Sequence, residues 1–142
     1  MGIRRQHAKG HNFILTLLSD TLNDEILMEH VRLLNIETTG AVNLKELADC
    51  RWLTSFDGLT VSGTTMCAKV ENNKPGSLLA ILVPPGNKAL FGLARAYQMF
   101  AEKHRQIIRI FTDLHEALNW LGDDPSEAEA LIEVVNHANR SG

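Results

Sequence analysis

The chain has 142 residues, of which 44% are hydrophobic and 22% are charged, and its net charge is −3 at pH 7. This composition is typical of a globular protein, and the small negative charge provides no basic surface for nucleic acid. No apolar run approaches the roughly 18 residues that a membrane-spanning helix needs. We therefore expect one cytoplasmic domain over residues 1–142, with residues 125–139 forming an additional C-terminal helix.

The chain begins with two short β-type runs, at residues 3–7 and 12–18. The connection between them contains a glycine, which predicts a hairpin and an antiparallel edge strand. Apolar residues at helical spacing follow, and they predict a first helix that begins near Leu22 with Asp20 as its N-terminal cap. Residues 42–49 then predict a strand that ends at Asp49, and residues 50–60 show no period and predict a loop.

The middle of the chain predicts a helix, a strand and a second helix. Ser62 is the expected cap of a short helix over residues 64–72, with Met66, Cys67 and Val70 facing inward. Residues 78–83 are apolar on both faces, which predicts the middle strand of a sheet covered by helices on two sides. A Pro-Pro-Gly turn leads into an amphipathic helix over residues 88–103.

A final strand is predicted over residues 107–111. Asp113 then caps a helix that we expect to end at Gly122 in a left-handed conformation, and a last helix covers residues 126–138. Because parallel strands need a crossover that a helix usually supplies, the alternation predicts an α/β fold. The expected architecture is a mixed, mostly parallel sheet of about five strands, with an antiparallel edge strand and flanking helices.

Cysteine and histidine spacing provides no support for a metal or redox site. Cys50 and Cys67 form no C-x-x-C pair, and the six histidines include no H-E-x-x-H motif. His7 and His11 have H-x-x-x-H spacing, but they flank the predicted hairpin and do not lie on a predicted helix. We predict no metal, no cofactor and two reduced, buried cysteines. The alternative for Cys50 is a reactive thiol with a neighbouring histidine as its base.

Several short motifs of the chain match a known family. They are a Gly-Leu-Ala-Arg helix segment within residues 91–97, a Phe-x-Asp strand end at 110–113, and an Ala-x-x-Trp-Leu sequence within 116–121. A Leu-x-Asp strand end within residues 47–51 extends the match upstream. Residues 12–122 thus resemble the small bacterial SpoIIAA-like domains of the STAS/SEC14 type.

This resemblance implies a SpoIIAA/STAS-like fold that works as a regulatory or protein-binding module. The best-known members carry a phosphorylatable serine in the turn that enters the helix after the third strand. Here Asp49 is followed by Cys50, Arg51 and Trp52, which departs from that pattern. The serines nearest to the corresponding loop, Ser55 and Ser62, are therefore the predicted phosphorylation candidates, and an unmodified helix cap is the alternative for Ser62.

The carboxyl ends of the strands predict a ligand site, because ligands of open α/β sheets bind there. Asp49 and Arg51 either pair with each other or line a pocket, and Trp52 is an aromatic anchor for a partner or ligand. The turn before the 88–103 helix is an anion site or an ordinary turn. The predicted ligand-binding residues are Asp49, Arg51, Trp52, Gly86, Asn87 and Lys88.

Three functions remain open, and we rank them by the chemistry that the sequence offers. A noncatalytic module that binds an unknown protein partner is the first, and an exposed apolar patch on the last helix or around Trp52 would support it. A small-molecule or lipid-binding domain is the alternative, and a cavity would support that function. An enzyme based on Cys50 ranks last, because no complete catalytic constellation is present. We predict no catalytic residue, no nucleic-acid partner and no stable membrane insertion, and base rates allow a homodimer.

Overall fold

The structure is a computed structural model that describes residues 2–71, 75–102, 107–122 and 124–141. Within them, strands and helices follow one another in the order β1 (Ile3–Ala8), β2 (Phe13–Thr21), α1 (Asp24–Glu37), β3 (Lys45–Ser55), α2 (Val61–Val70), β4 (Leu78–Leu82), α3 (Lys88–Glu102), β5 (Ile107–Phe111), α4 (Leu114–Leu121) and α5 (Pro125–Ser141). In this part of the chain, none of the helices combines the length and the apolar character that a bilayer crossing requires.

The strands form one sheet in the order β1-β2-β3-β4-β5. β1 pairs antiparallel with β2, and every other pair is parallel, which confirms the predicted mixed sheet and its antiparallel edge. The expectation that residues 78–83 form the middle strand is wrong. The strand order in the sheet follows the chain, so β3 is the middle strand. β4 lies next to it and is apolar because helices cover both of its faces.

Helices lie on both faces of the sheet. The β2–α1–β3, β3–α2–β4 and β4–α3–β5 crossovers all advance in the same direction, so their common handedness places α1, α2 and α3 on one face. Helices α4 and α5 cover the opposite face. We call these the crossover face and the C-terminal face.

Strand β3 is longer than its sequence pattern predicts. The predicted strand ends at Asp49, whereas β3 continues to Ser55 and starts only at Lys45. Its pairing with β4 stops at Asp49, but pairing with β2 continues through a register shift between Leu17 and Ser19. An extra residue at such a bulge breaks the two-residue alternation, which is why the second half of the strand has no visible period.

The predicted cap of α1 is also wrong. Asn23, not Asp20, precedes the helix, and its side chain accepts a hydrogen bond from the Ile26 amide at 2.8 Å. Asp20 belongs to β2 and has a left-handed backbone with φ of 61°. Aspartate tolerates this conformation better than most residues. Because aspartate is also a common helix cap, its presence at the end of β2 resembles a cap in the sequence.

Helix α2 begins earlier than predicted. Thr60 is its cap and accepts from the Gly63 amide at 2.9 Å, so Ser62 lies in the first helical turn. Of the residues expected to face inward, Cys67 is buried, but Met66 is 51% exposed and Val70 is 38% exposed. The predicted end of this helix, Asn72, lies outside the described residues.

The remaining helices agree better with the sequence. Asp113 accepts from the Glu116 amide at 2.9 Å, which confirms the predicted cap of α4. Gly122 has φ of −73°, so the expected left-handed ending is wrong. A Cβ at Gly122 would lie 2.8 Å from the Ala128 amide nitrogen, so glycine here allows the first turn of α5 to approach closely. The predicted end of the preceding helix, Lys103, lies outside the described residues.

Candidate functional site

A cavity of ≈ 90 Å³ lies between the crossover face and helices α1, α2 and α3. We call it the inner cavity. Most of its wall is apolar and buried, and the lining residues Leu27, Glu71 and Leu93 are half-buried. Representative apolar wall residues are Leu18, Val31, Ile81, Val83, Leu90 and Ala94.

Two polar residues of the central strands point into this cavity. Thr16 on β2 is 0% exposed and Glu46 on β3 is 7% exposed, and the Thr16 hydroxyl donates to the Glu46 carboxylate at 2.7 Å. Inward positions of central strands normally carry aliphatic residues, because polar groups lose hydration there. A buried threonine–glutamate pair beside a void is therefore a feature that core packing alone does not require.

His30 of α1 lines the cavity next to this pair. Its Nε2 lies 3.9 Å from a Glu46 carboxylate oxygen, and Arg5 Nη1 lies 3.3 Å from its Nδ1. Because a guanidinium can only donate, this contact assigns Nδ1 as the acceptor and the ring proton to Nε2. In this assignment the Nε2–H of His30 faces Glu46.

Arg5 connects this histidine to the surface. Its guanidinium donates to both carboxylate oxygens of Glu37, at 3.0 and 2.8 Å, and His7 contacts the same carboxylate at 2.8 Å. The hydrogen bond from Arg5 is the main cause that lowers the pKa of Glu37 to about 2, with partial burial opposing it and His7 assisting. The chain of contacts Glu37–Arg5–His30 holds the arginine charge outside the cavity wall.

Helices α2 and α3 contribute two hydroxyl groups to the cavity. Tyr97 is 7% exposed, and burial, followed by the interaction with the nearby Glu71 carboxylate, raises its pKa well above the usual value. Thr64 is 3% exposed, and its hydroxyl has no hydrogen-bond partner. An unpaired buried hydroxyl costs free energy, and Thr64 has unused hydrogen-bonding capacity in this space.

Both cysteines are buried and free, as predicted. Burial raises the pKa of Cys50 to about 12, with the Asp49 charge adding to the effect, and burial raises the pKa of Cys67 to about 11. Cys50 and His30 line the same cavity, but the thiol's hydrogen-bond partner is the Ala48 carbonyl. A thiol with so high a pKa is protonated at neutral pH and is a poor nucleophile.

Three predicted site residues, Asp49, Arg51 and Trp52, lie together in the second half of β3. Asp49 is 0% exposed, and Arg51 donates to its two carboxylate oxygens at 3.0 and 2.9 Å, so the predicted ion pair forms. The Arg51 guanidinium also lies 5.5 Å from the ring centre of Trp52, which is 50% exposed. Their role in ligand binding stays a prediction.

Trp52 borders a surface groove on the C-terminal face. The groove has a volume of ≈ 500 Å³, and we call it the Trp52 groove. Its walls come from β1, from β2 and β3, and from α5, and the lining residues are Arg4, Leu17, Ser19, Asp20, Trp52, Ala138 and Asn139.

The predicted residues before α3 have structural roles. Gly86 has φ of 81°, which a tight turn after Pro85 requires, and Asn87 accepts from the Leu90 amide at 3.1 Å as a helix cap. Lys88 is exposed at the first position of the helix. A ligand at Gly86, Asn87 and Lys88 stays a prediction, beside the turn chemistry that these contacts show.

The two serine candidates differ in accessibility. Ser62 is exposed in the first turn of α2, and Ser55 is half-buried at the end of β3, where its carbonyl accepts from the Leu22 amide at 2.9 Å. Phosphorylation at either serine stays a prediction. In the described ranges, histidine, cysteine and acidic side chains do not gather in any group of three that could bind a metal.

Sequence reasoning missed Thr16, Glu46, His30 and Tyr97. A signal was present for the strand residues, because Thr16 interrupts an apolar run and Glu46 precedes Leu47 in a strand that is buried on both faces. A polar side chain at an inward position of a central strand is the pattern to look for. Convergence of α1 and α3 on the same point is a tertiary property that no local pattern shows.

Comparison with known proteins identifies the fold. No protein-family model matches the chain, and no curated protein matches it. Among solved structures, the chain is similar to an uncharacterised protein of the DUF3478 family with a SpoIIAA-like fold from Shewanella loihica PV-4. The TM-score is 0.58, the sequence identity is 16%, and the match covers 84% of this chain and 92% of the Shewanella chain. The chain therefore has a SpoIIAA-like fold, as the sequence resemblance implies.

Proposed function

We propose that this protein is a noncatalytic binding module that holds a small, compact ligand in the inner cavity. The single observation that carries the proposal is the unpaired Thr64 hydroxyl in a space already lined by Thr16, Glu46 and Tyr97. Ligand sites are largely apolar pockets with a few converging polar groups, and this cavity has that composition. The high pKa of Cys50, about 12, supports a noncatalytic role, because the thiol stays protonated.

The cavity volume restricts the ligand class. An engineered cavity of about 150 Å³ accommodates benzene, whereas the inner cavity measures ≈ 90 Å³. A ligand of about three to five non-hydrogen atoms fits this space by simple proportion. A lipid chain is far too large for this cavity. Of the alternative function, a small-molecule or lipid-binding domain, we therefore retain only small-molecule binding.

Methyl-resolved NMR with 1-propanol as the probe tests the proposal. We expect saturable shifts for methyl groups that line the cavity, such as those of Leu18, Val31 and Val83, and no shifts for Leu47 and Leu82 on the opposite face. The two sets lie on the same sheet, so the second set is an internal control. Uniform shifts, or none, would contradict binding in the inner cavity.

A cavity-filling variant provides the matched control. Ala94 is buried, lines the cavity and lies on α3, so Ala94→Leu places three additional carbon atoms in the void. We expect this variant to lose the propanol response and to retain the far-UV circular dichroism of the wild type. Ala89→Leu, at an exposed position of the same helix, should leave the response unchanged.

A second candidate function is the regulatory, protein-binding role, and the observation that favours it is the half-exposed Trp52. Exposed tryptophans are frequent anchors of protein interfaces. The last helix, the other expected patch, buries Leu131 and Val135 against the sheet, so it is occupied within the chain. Retention of one specific protein from host extract by the wild type and by Met99→Ala, but not by Trp52→Ala, would support this role. Equal retention by Trp52→Ala would contradict it.

A further inference from the structure

Strand β1 lies at one edge of the sheet and, among the described residues, pairs only with β2. The Ser19 amide donates to the Gly2 carbonyl at 2.8 Å, and hydrogen-bonded pairs alternate along an antiparallel strand. Every second residue from Gly2 onward therefore bonds to β2. The backbone N–H and C=O groups of the residues between them, Ile3, Arg5 and His7, point toward the free edge.

The free edge of β1 has few of the features that usually prevent strand pairing. The strand contains neither proline nor lysine, and its pairing with β2 shows no register shift. Two of its polar side chains, those of Arg5 and His7, turn onto Glu37 of α1, each with a contact of 2.8 Å. The carboxylate compensates the Arg5 charge, so a second strand that approaches this edge does not meet an unpaired cation there.

Helix α1 presents exposed apolar residues on the same side. Leu33 lies one helical turn before Glu37, the residue that contacts β1, so Leu33 is on the β1 side of the helix. Asn35, by contrast, donates to the Val70 carbonyl of α2 and marks the opposite side. Leu33 is 37% exposed, and Ile36, less than one turn further along, is 71% exposed. Exposed apolar residues beside an unpaired strand edge form the combination that a sheet-to-sheet interface buries.

We propose that two copies of this chain associate through their β1 strands, which pair antiparallel across a two-fold axis and join the two sheets. A two-fold interface brings the same surface of both copies together, so the free backbone groups of one edge meet those of the other. The register that uses all three free residues of both strands places Arg5 on the axis and Ile3 opposite His7. The proposal concerns a different surface from the inner cavity and is independent of the proposed ligand.

The side chains are compatible with this register on both faces. On the crossover face, Arg5 lies opposite its copy, and Glu37 of each subunit compensates the two like charges. The two α1 helices lie on this face on either side of the axis, so their exposed apolar residues approach each other. On the C-terminal face, Arg4 lies opposite Gln6, whose side-chain oxygen accepts hydrogen bonds from a guanidinium.

Sedimentation velocity of the full chain measures the association. At loading concentrations of about 10–500 µM, we expect the mass to rise from 15.8 kDa toward twice that value. A constant mass of 15.8 kDa over this range would contradict the proposal, and an extended segment of another protein would then be the occupant to test at the β1 edge.

Two substitutions at His7 separate the backbone from the side chain. His7→Pro removes an N–H that points to the free edge and leaves the hydrogen bonds to β2 in place. We expect this variant to keep the monomer mass at about 500 µM. His7→Ala loses the contact with Glu37 but keeps the N–H, so its dimer Kd should stay within about threefold of the wild type. Wild-type association of His7→Pro would contradict pairing through β1.

A surface substitution on α1 gives a second test that does not alter the strand. Leu33→Glu introduces a charge at a partly exposed position next to the axis and should weaken association by about tenfold or more. Met99→Glu, at a 55% exposed position of α3, is the matched control and should leave the Kd unchanged. An equal Kd for Leu33→Glu and Met99→Glu would contradict the proposed approach of the two α1 helices.

Single cysteines test the register. Arg4 and Gln6 of opposite copies form a non-hydrogen-bonded pair, in which the Cα atoms are about 4.5 Å apart and a disulfide is possible. Under mild oxidation, Arg4→Cys mixed with Gln6→Cys should give a disulfide-linked dimer. Either variant alone should not, because its own pairs are diagonal and about 7–8 Å apart. The wild type, whose Cys50 and Cys67 are buried, is the control. Cross-linking of Arg4→Cys to itself would contradict the inferred register.

Discussion

The two faces of the sheet use the same strands for different purposes. On the C-terminal face, Leu15, Leu47 and Leu82 are fully buried beneath α4 and α5. On the crossover face, the same strands β2 and β3 present Thr16 and Glu46 to a cavity. Close-packed apolar layers stabilise a fold, and polar groups around a void weaken it. The difference indicates that the C-terminal face contributes more packing stability, and the crossover face carries the proposed binding site.

One buried charge on the C-terminal face tests this division. Asp49 is fully buried there, but Arg51 donates to both of its oxygens, and the Arg51 amide donates to the same carboxylate at 3.1 Å. A buried carboxylate that is paired and hydrogen-bonded costs little compared with an unpaired polar group. The Asp49 carboxylate is therefore paired within the protein, whereas the Thr64 hydroxyl on the crossover face has no hydrogen-bond partner.

Truncation of a large apolar residue should reveal the packed face most strongly. Leu131→Ala removes a fully buried side chain of α5 and should lower the free energy of unfolding by about 2–5 kcal/mol. Leu18→Ala, beside the inner cavity, should cost about 1 kcal/mol less, because a side chain next to a void makes fewer dispersion contacts. Urea unfolding followed by circular dichroism measures both. Equal losses would mean that the two faces are equally well packed.

The same substitution at two threonines should have opposite effects. Thr16→Val removes a hydroxyl that donates to the buried Glu46 carboxylate and should destabilise the protein by about 1–3 kcal/mol. Thr64→Val removes a hydroxyl without a partner and should be neutral or stabilising by up to about 1 kcal/mol. Chemical denaturation of both variants at pH 7 provides the comparison. A comparable loss at Thr64 would show that its hydroxyl is satisfied in solution, which would remove the main support for the ligand site.

Sequence patterns predict the elements of this fold far better than the site. The hairpin, β5 and the Asp113 cap follow from local spacing and capping chemistry, and the structure confirms them. The predicted third strand ends too early, at Asp49, because a bulge interrupts the alternation of β3. Local patterns predict what neighbours in sequence determine, and a bulge depends on the partner strand.

The candidate site needed information that local patterns do not contain. Thr16 and Glu46 lie on adjacent strands, and His30 reaches them from a helix between those strands in sequence. Their proximity follows from parallel pairing in a particular register. The sequence instead favoured the strand ends, where Asp49, Arg51 and Trp52 do lie together. The rule that ligands bind at the carboxyl ends of strands leads to the Trp52 groove. The inner cavity cannot be predicted in this way, because it depends on how three helices pack on the sheet.

Two glycines of the helices on the crossover face have different surroundings: Gly63 is closely packed, and Gly92 faces open space. The Asp24 carboxylate accepts from the amide and hydroxyl of Thr60, at 2.9 and 2.7 Å, and thereby joins α1 to the start of α2. A Cβ at Gly63 would collide with that carboxylate. Gly63→Ala should therefore displace Asp24 and cost about 1–3 kcal/mol.

Gly92→Ala is the matched control for that substitution. Gly92 lies in the exposed middle of α3 with open space around its Cα, so alanine there should stabilise by about 0.5–1 kcal/mol. Thermal unfolding of both variants gives the two signs directly. A stabilising Gly63→Ala would show that α1 and α2 separate at this point in solution, and the cavity wall would then be less rigid than the contacts of Asp24 indicate.

The weakest expected effect concerns the surface end of the polar network. The pKa of Glu37 is lowered from 4.5 to about 2, chiefly by its hydrogen bond from Arg5. A carboxyl group with a lowered pKa in the folded state stabilises the protein above pH 4.5, and this contribution is lost as the pH falls toward 2. Because the Glu37 side chain is 34% exposed, solvent screening limits the contribution to about 0.5–1 kcal/mol.

Glu37→Gln should accordingly lower stability at pH 7 and match the wild type near pH 2, whereas Glu133→Gln, at an exposed position of α5, should follow the wild type throughout. Denaturant midpoints between pH 2 and pH 7 measure the difference. Because Arg5 also contacts His30 of the cavity wall, loss of the carboxylate partner of Arg5 should also loosen this contact. A difference between Glu37→Gln and the wild type that persists unchanged at pH 2 would mean that Glu37 acts through packing, and Arg5 would then orient His30 without this carboxylate.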